Sequence, residues 1–385
     1  MAGILIVNIT ERPWHLPKKI EIEKLRRISP SSIRLLKICP LQGILTANRV
    51  PNFLPVSPNA IIGSILHKII ESRHKGVVKS WEDYSAIWDF FVDEAEKKMM
   101  MAWLEKRFVP LSISAKMYEV KKRKCWNFLS PSLLNEISDN QFDSMQLPFS
   151  ETKKTNEIFL ESKCGGICGI IDTLDDTKKG IKLIDLKTGE IIDEVGNIKQ
   201  EYREQLKIYA SLYHENYGSW PITLEILDLS GYYHIIPYSP DDCEALFKEA
   251  KDLMGKANSA IQEKGMVLLS SSAGIASPKP ETCYYCTYRP ICDSYWEARQ
   301  KHPDPKWPFD VRGEILSMKK LGDGSILCKI QDSSSQGRIS TIRGLFESKH
   351  PGLLEKSKKF TMLSLYKEND EGFFKDGPFT TLYIH

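Results

Sequence analysis

The chain has no long apolar run. The longest candidates, such as Ile61 to Leu66, are short and interrupted, so no membrane-spanning helix is expected. Its first residues, Met1-Ala2-Gly3-Ile4-Leu5-Ile6-Val7, lack a basic lead, and Glu11 and Arg12 follow at once, so no secretory signal is read. The expected location is intracellular, in the cytoplasm or on the nucleoid. Net charge is also scarce: 53 Lys and Arg stand against 50 Asp and Glu, a formal +3. That excludes a histone-like coat of positive charge but leaves room for a local basic groove. No G-x-x-x-x-G-K-[ST] loop occurs, so the chain is not read as an ATP-driven helicase. No solenoid repeat is present. The nine cysteines are odd in number; a disulfide framework is disfavoured, and packed thiols or metal ligands remain.

What is there is ordinary globular material: 385 residues, 42% hydrophobic and 27% charged, enough for two or three domains. Residues 1–28 read as a lead-in. Ser29-Pro30-Ser31-Ser32 before Ile33, Leu35, Leu36, Ile38 and Leu41 is a helix start, with Cys39-Pro40 inside or at the end of that helix. Residues 60–71 and 81–129 read as helical, the latter within an insertion of about 75–150. From Glu157 the texture becomes β-like: Glu157 to Ser162, Gly166 to Leu174 and Gly180 to Leu186 read as a three-strand meander. A helix over 202–217, a strand over 222–233 and a helix over 241–264 complete a mixed α/β core. The Ser270-Ser271-Ser272-Ala273-Gly274 link and the Pro-rich 301–307 stretch punctuate the rest. Five strand-like runs over 308–385 suggest a small all-β barrel of the OB type.

The chemistry concentrates at Gly169-Ile170-Ile171-Asp172 and Ile184-Asp185-Leu186-Lys187-Thr188-Gly189. Asp185 and Lys187 are two apart on a strand and share a face. An acid and a lysine on an apolar strand are costly to bury without a use. Paired carboxylates offer hard oxygen ligands suited to Mg²⁺. A metal so held neutralises phosphate charge and acidifies water, and a lysine can steady the developing charge. Gln205 and Tyr209 are one helical turn apart on the next helix. His67, one turn after Gly63, reads in this order of features as a metal ligand.

The succession Ser-x-Ser…Cys-Pro, Gly-x-x-x-His, Gly-x-x-Asp, Asp-x-Lys-x-Gly, Gln-x-x-x-Tyr and Cys-x2-Cys-x5-Cys resembles the RecB-like branch of the PD-(D/E)XK nuclease superfamily. It is most similar to the iron–sulfur exonucleases of CRISPR adaptation, of AddB-type repair enzymes and of the replication nuclease-helicase. The resemblance covers about residues 29–296 and implies a restriction-endonuclease-like mixed sheet flanked by helices. It implies His67, Asp172, Asp185 and the Leu186 carbonyl as ligands of Mg²⁺ or Mn²⁺, Lys187 as catalytic lysine, and Gln205 and Tyr209 as the helix motif that contacts DNA and steadies that lysine. Glu161, on the strand before Asp172, takes a supporting role. Ile184 stands where the family name has proline. The domains expected are a nuclease domain over 29–300 and a β-barrel over 308–385.

Cys283, Cys286 and Cys292 need a fourth ligand, for which Cys39 is the candidate. Four cysteines suit zinc or a [4Fe–4S] cluster; spacing does not decide, and the resemblance favours iron–sulfur. Cys164 and Cys168 are read on strands, as packed thiols. Lys116, Lys121, Lys122, Arg123 and Lys124 with Trp126 form the densest basic cluster, open to phosphate contact or to a solvated face. Tyr284, Tyr285 and Tyr288, or Phe373 and Phe374, could stack on a single strand. The function expected is a metal-dependent deoxyribonuclease acting on single-stranded ends or flaps in repair, recombination or defence, with a helicase or other protein partner. The alternative is a non-catalytic DNA-binding or scaffold subunit.

Overall fold

The computed structural model describes residues 12–17, 19–74, 78, 80–130, 153–264, 267–268, 274–333, 337–355, 359–368 and 372–385. The apolar start of the chain, the 131–152 part of the expected insertion and the serines of the 270–274 link lie outside these residues. Among the described residues no helix is long and apolar enough to cross a membrane.

Helix α1 (Pro30–Ile38) begins as its sequence dictates. The Ser29 side chain accepts the Ser32 N–H, and Pro30 occupies the first turn, where its missing N–H costs nothing. Cys39 is not helical. At φ −154° and ψ 106° it is the extended hinge before α2 (Pro40–Ala47), because the residue before a proline is driven out of the α region. The break turns the Cys39 thiol away from the helix stack. Helix α3 (Pro58–His74) and α4 (Trp81–Met101) follow, the latter opened by a Ser80–Asp83 capping box. Short α5 (Leu111–Ser114) and α6 (Tyr118–Leu129) close the helical region. These elements bury Ile62, Ile65, Leu66, Tyr84, Trp88 and Cys125 together with Leu186.

The central sheet holds β2 (Lys153–Glu161), β3 (Cys168–Thr177), β4 (Gly180–Lys187), β5 (Thr223–Asp228) and β6 (Tyr233–Ile236), in that spatial order. The pair β1 (Ile20–Glu21) and β7 (Val267–Leu268) lies apart. The meander is therefore part of a larger mixed sheet: β4 and β5 run parallel, joined by the crossover helix α7 (Gln200–Tyr217), as a parallel pair requires. The expected strand over 222–233 is two strands, since Asp228 caps a turn by accepting the Ser230 and Tyr232 N–H groups. Helices α7 and α8 (Pro240–Lys264) pack together. Leu206, Tyr209, Ala210 and Tyr213 of α7 share one core with Leu183, Leu224 and Ile226 of the sheet. Covered on both sides, β4 reads Leu183-Ile184-Asp185-Leu186 buried without alternation.

Beyond α9 (Pro280–Cys283) and α10 (Asp293–Lys301) comes a seven-stranded sheet rather than five strands. Its members are β8 (Val311–Lys320), β9 (Ile326–Asp332), β10 (Arg338–Leu345), β11 (Lys359–Leu363), β12 (Tyr366–Lys367), β13 (Phe373–Lys375) and β14 (Thr381–Ile384). The order is β12-β13-β10-β9-β8-β11-β14. Only a short connection separates β13 from β14, yet one pairs β10 and the other pairs β11. One stretch of chain thus bridges distant parts of the sheet and curls it. Its core holds Val311, Cys328, Ile330, Ile342, Phe360 and Met362.

A buried ion pair ties this sheet to the cysteine segment. Arg289, 2% exposed, donates Nε to Asp310 Oδ2 at 3.0 Å and reaches the Cys283 and Tyr284 carbonyls and Ser364. Asp310, 1% exposed, also accepts the Tyr295 hydroxyl and the Ser364 N–H. Removing one partner strands the other as a buried charge. Asp310→Ala is therefore expected to cost about 3–5 kcal/mol, read as a lower denaturation midpoint. An unchanged midpoint would show that the junction does not depend on this pair.

Candidate active site

The end of β4 is where the expected residues converge. The β3–β4 ladder stops at the Thr173–Ile184 pair. Past it the Asp172 carboxylate takes the place of a backbone acceptor, receiving the Leu186 N–H at 2.8 Å. Asp172 is thereby fixed to the strand that carries Asp185 and Lys187.

Asp185 is 2% exposed. Its Oδ2 lies 2.6 Å from Lys187 Nζ, though not at a hydrogen-bonding angle, and has no hydrogen-bond partner. Its Oδ1 accepts Gln205 Nε2 at 3.2 Å. The same Nε2 lies 3.0 Å from the Tyr209 hydroxyl, while Lys187 Nζ donates to Gln205 Oε1 at 2.9 Å. Asp185, Lys187, Gln205 and Tyr209 are one connected network. Burial raises the Asp185 carboxyl to about 6, with Lys187 pulling against it and Asp172 adding to it. Burial likewise raises Asp172, opposed by the Leu186 N–H and Lys187. Tyr209 is pushed up by burial and then by Asp185, so it stays protonated.

His67 keeps an exposed edge. The protein around it, and then the Lys187 ammonium, hold it below the usual imidazole value, with Asp185 opposing. A neutral imidazole is the ligating form. A buried carboxylate oxygen held only by charge, a second carboxylate beside it and a neutral histidine within their field make a donor set suited to a divalent cation. As the side chains stand, no group of three or more His, Cys, Asp or Glu among the described residues is placed to hold a metal ion.

Glu161 is not part of this network; it pairs with Arg27 at 3.5 Å near the far end of β2. Three contributors escaped the sequence reading. Tyr202 lies under Lys187, its ring centroid 4.8 Å from Nζ, a cation–π contact. Its spacing of three before Gln205 on α7 was a usable signal. Gly169 had been read only as part of a spacing. A Cβ there would sit 2.5 Å from Tyr209 Cε1, so the glycine is what lets the Tyr209 ring close on the sheet. Glu157 takes φ +53° in the β2 ladder and raises Asp172 electrostatically.

The cysteines also meet. Cys39, Cys283, Cys286 and Cys292 line one cavity of about 20 Å³. The Cys39 sulfur accepts the Ser277 N–H at 3.5 Å, and backbone groups of Lys279, Tyr288 and Tyr295 oppose the rise of the Cys283, Cys286 and Cys292 thiols. Burial raises Cys283 and Cys292, and pushes Cys286 up to about 12. Such thiols ionise at neutral pH only against a bound cation. The Ser277 amide on Cys39 and the Arg289 charge near Cys283 and Cys286 favour the thiolate form. By contrast Cys164 lies in an exposed turn, its sulfur 3.4 Å from the Ser162 hydroxyl, and not on a strand.

Much of the basic cluster is engaged. Lys121 donates to Asn59, Lys122 pairs with Asp89 and lies over Trp88, and Arg123 lies over Trp81. Tyr288 is buried in the core, whereas Tyr284 and Tyr285 are exposed.

The sequence model of the PD-(D/E)XK nuclease superfamily matches residues 27–293. The chain belongs to the PD-(D/E)XK nuclease superfamily. No curated protein matches it. Membership makes it a phosphodiesterase of the metal-dependent nuclease kind, and a nuclease of this family would act on DNA. The matched span contains both the β4 network and the cysteine cavity.

A carboxyl buried in this way is expected to weaken the fold that holds it. The Asp185 carboxyl is raised from 3.8 to about 6, so the unfolded chain releases that proton earlier than the folded one. The metal-free protein therefore loses stability as pH rises from about 4 to about 6, by on the order of 3 kcal/mol. In EDTA at pH 8, Asp185→Asn should melt at or above the wild type, with the difference shrinking at pH 4. A variant that melts well below wild type at pH 8 would contradict this.

Proposed function

We propose that this nuclease is a RecB-like, Mg²⁺- or Mn²⁺-dependent deoxyribonuclease acting on single-stranded ends or flaps, with a nuclease domain over 29–300 and an OB-like barrel over 308–385. The observation that carries the reading is the unbroken Asp185–Lys187–Gln205–Tyr209 network beside Asp172. A non-catalytic subunit has no need to bury a charged pair there. His67, Asp172, Asp185 and the Leu186 carbonyl would hold the cation. Bound there, it supplies charge neutralisation at the phosphate and acidifies water. Lys187, kept in place by Gln205 and Tyr202, orients the attacking water and opposes the developing negative charge. Tyr209 and Gln205 keep the Lys187 side chain from turning out to solvent.

Cys39, Cys283, Cys286 and Cys292 would hold a [4Fe–4S] cluster, with structural zinc as the alternative. The role in either case is a clasp between the α1–α2 hinge and the 283–292 loop. Repair, recombination or defence against foreign DNA is the setting, with a helicase partner where unwinding is needed.

The test is cleavage of end-labelled single-stranded DNA by anaerobically purified protein, with and without Mg²⁺ or Mn²⁺. Lys187→Ala should cut at least about 10²–10³-fold more slowly while melting as a folded protein. Cleavage surviving unchanged in that variant would remove the site assignment. Iron and acid-labile sulfide in the brown protein, lost together in Cys286→Ser, would support the cluster; stoichiometric zinc in colourless protein would replace it.

A further inference from the structure

The outward face of the C-terminal curled sheet is assembled in rows that the strand register makes explicit. Tyr366 of β12 stands opposite Lys375 of β13, which stands beside Arg343 of β10. Two residues along β13, Phe373 lies beside Thr341, which faces Lys329 of β9. Residues paired across strands, and residues two apart on one strand, share a face. Tyr366, Phe373, Lys375, Arg343 and Lys329 therefore project together, on strands roughly 4.8 Å apart.

Both aromatics stay in solvent. Tyr366 is 47% exposed and Phe373 is 40% exposed, whereas the adjacent Phe374 turns inward against the sheet core. The sequence reading had grouped both phenylalanines as stacking residues; the alternation separates them. Tyr366 also packs against the backbone: a Cβ on Gly377 would lie 1.9 Å from its ring, so only a glycine leaves room for the ring there. An exposed aromatic packed on a glycine contributes little to the core. Lys329 and Lys375 point outward, and Arg343 shares its charge with Glu368. Cations interleaved with open aromatic faces complement a polyanion whose bases are unpaired; bases within a duplex offer no face to stack on.

We propose that this face is a binding site for a single strand of DNA, with Tyr366 and Phe373 stacking on its bases and Lys329, Lys375 and Arg343 meeting its phosphates. It rests on the DNA reading proposed above and extends it to a second site on the same chain. A strand seated here is held by a surface separate from the β4 network, so binding can be measured with cleavage switched off.

The experiment is fluorescence anisotropy of labelled oligothymidylate with the full chain in EDTA. Phe373→Ala and Tyr366→Ala should each weaken binding about tenfold or more, Tyr366→Phe should bind as wild type, and Lys375→Ala should lower the salt slope by about 0.7. Should Tyr366→Ala fail to fold, Phe373→Ala and Lys375→Ala decide. Folded Phe373→Ala and Lys375→Ala that bind as wild type would overturn the site. If the wild type also cuts single strands with metal, the nuclease reading survives that result. Binding lost in the variants, with a wild type that cuts nothing, would keep the site and sink the catalytic reading. A wild type that neither binds nor cuts would remove both.

Discussion

A charged pair in a protein interior has to be held on every side, and the Asp185–Lys187 pair governs the nuclease core in that way. Lys187 lies at the last position of β4, where the strand leaves the sheet. Asp185 lies two residues inside, almost fully buried. The neighbouring elements are placed to serve them: α7 supplies Gln205 and Tyr202, β3 supplies Asp172 through its broken ladder, and Gly169 admits the Tyr209 ring. Burial lifts the Asp185 carboxyl while the lysine restrains it. The pair is thus a stored electrostatic cost of the kind that gathers at functional sites.

A second buried pair does a different task. Arg289 and Asp310 sit at the seam between the cysteine loop and the curled sheet, and nearly every polar atom of the pair has a partner. Where the β4 pair leaves an oxygen without a hydrogen bond, this one is saturated.

The side-chain network was legible because side-chain spacing survives folding. Asp185 and Lys187 share a strand face, Gln205 and Tyr209 share a helix face, and both patterns place the network without knowledge of the tertiary structure. The element types of the nuclease core were legible too, since turn residues and helix caps sit at their ends. What the sequence hid was anything set by two distant segments meeting. Tyr202 under Lys187 depends on how α7 crosses β4. The role of Gly169 depends on where the Tyr209 ring falls. The break at Cys39 was written in the following proline, and the meeting of its thiol with the loop 244 residues further on was expected only because three close cysteines lacked a fourth. In the C-terminal sheet the short β12 and β13 carry too few residues for alternation to show, so two strands went unread and Phe374 was placed on the wrong face.

The cysteine cavity and the Arg289–Asp310 joint bear on one another. Arg289 opposes the rise of the Cys283 and Cys286 thiols, donates to the Cys283 carbonyl, and hands the rest of its charge to Asp310. A cation already neutralised by a carboxylate can adjust the field at the sulfurs without itself becoming an uncompensated buried charge. Closing the long loop from Cys39 to Cys283 carries an entropy that grows only slowly with length, so a few strong bonds at its mouth suffice to hold it. The joint then transmits that closure to the curled sheet, through Asp310 and Ser364, so the strands that carry Tyr366 and Phe373 are anchored to the same loop that the four cysteines would clasp.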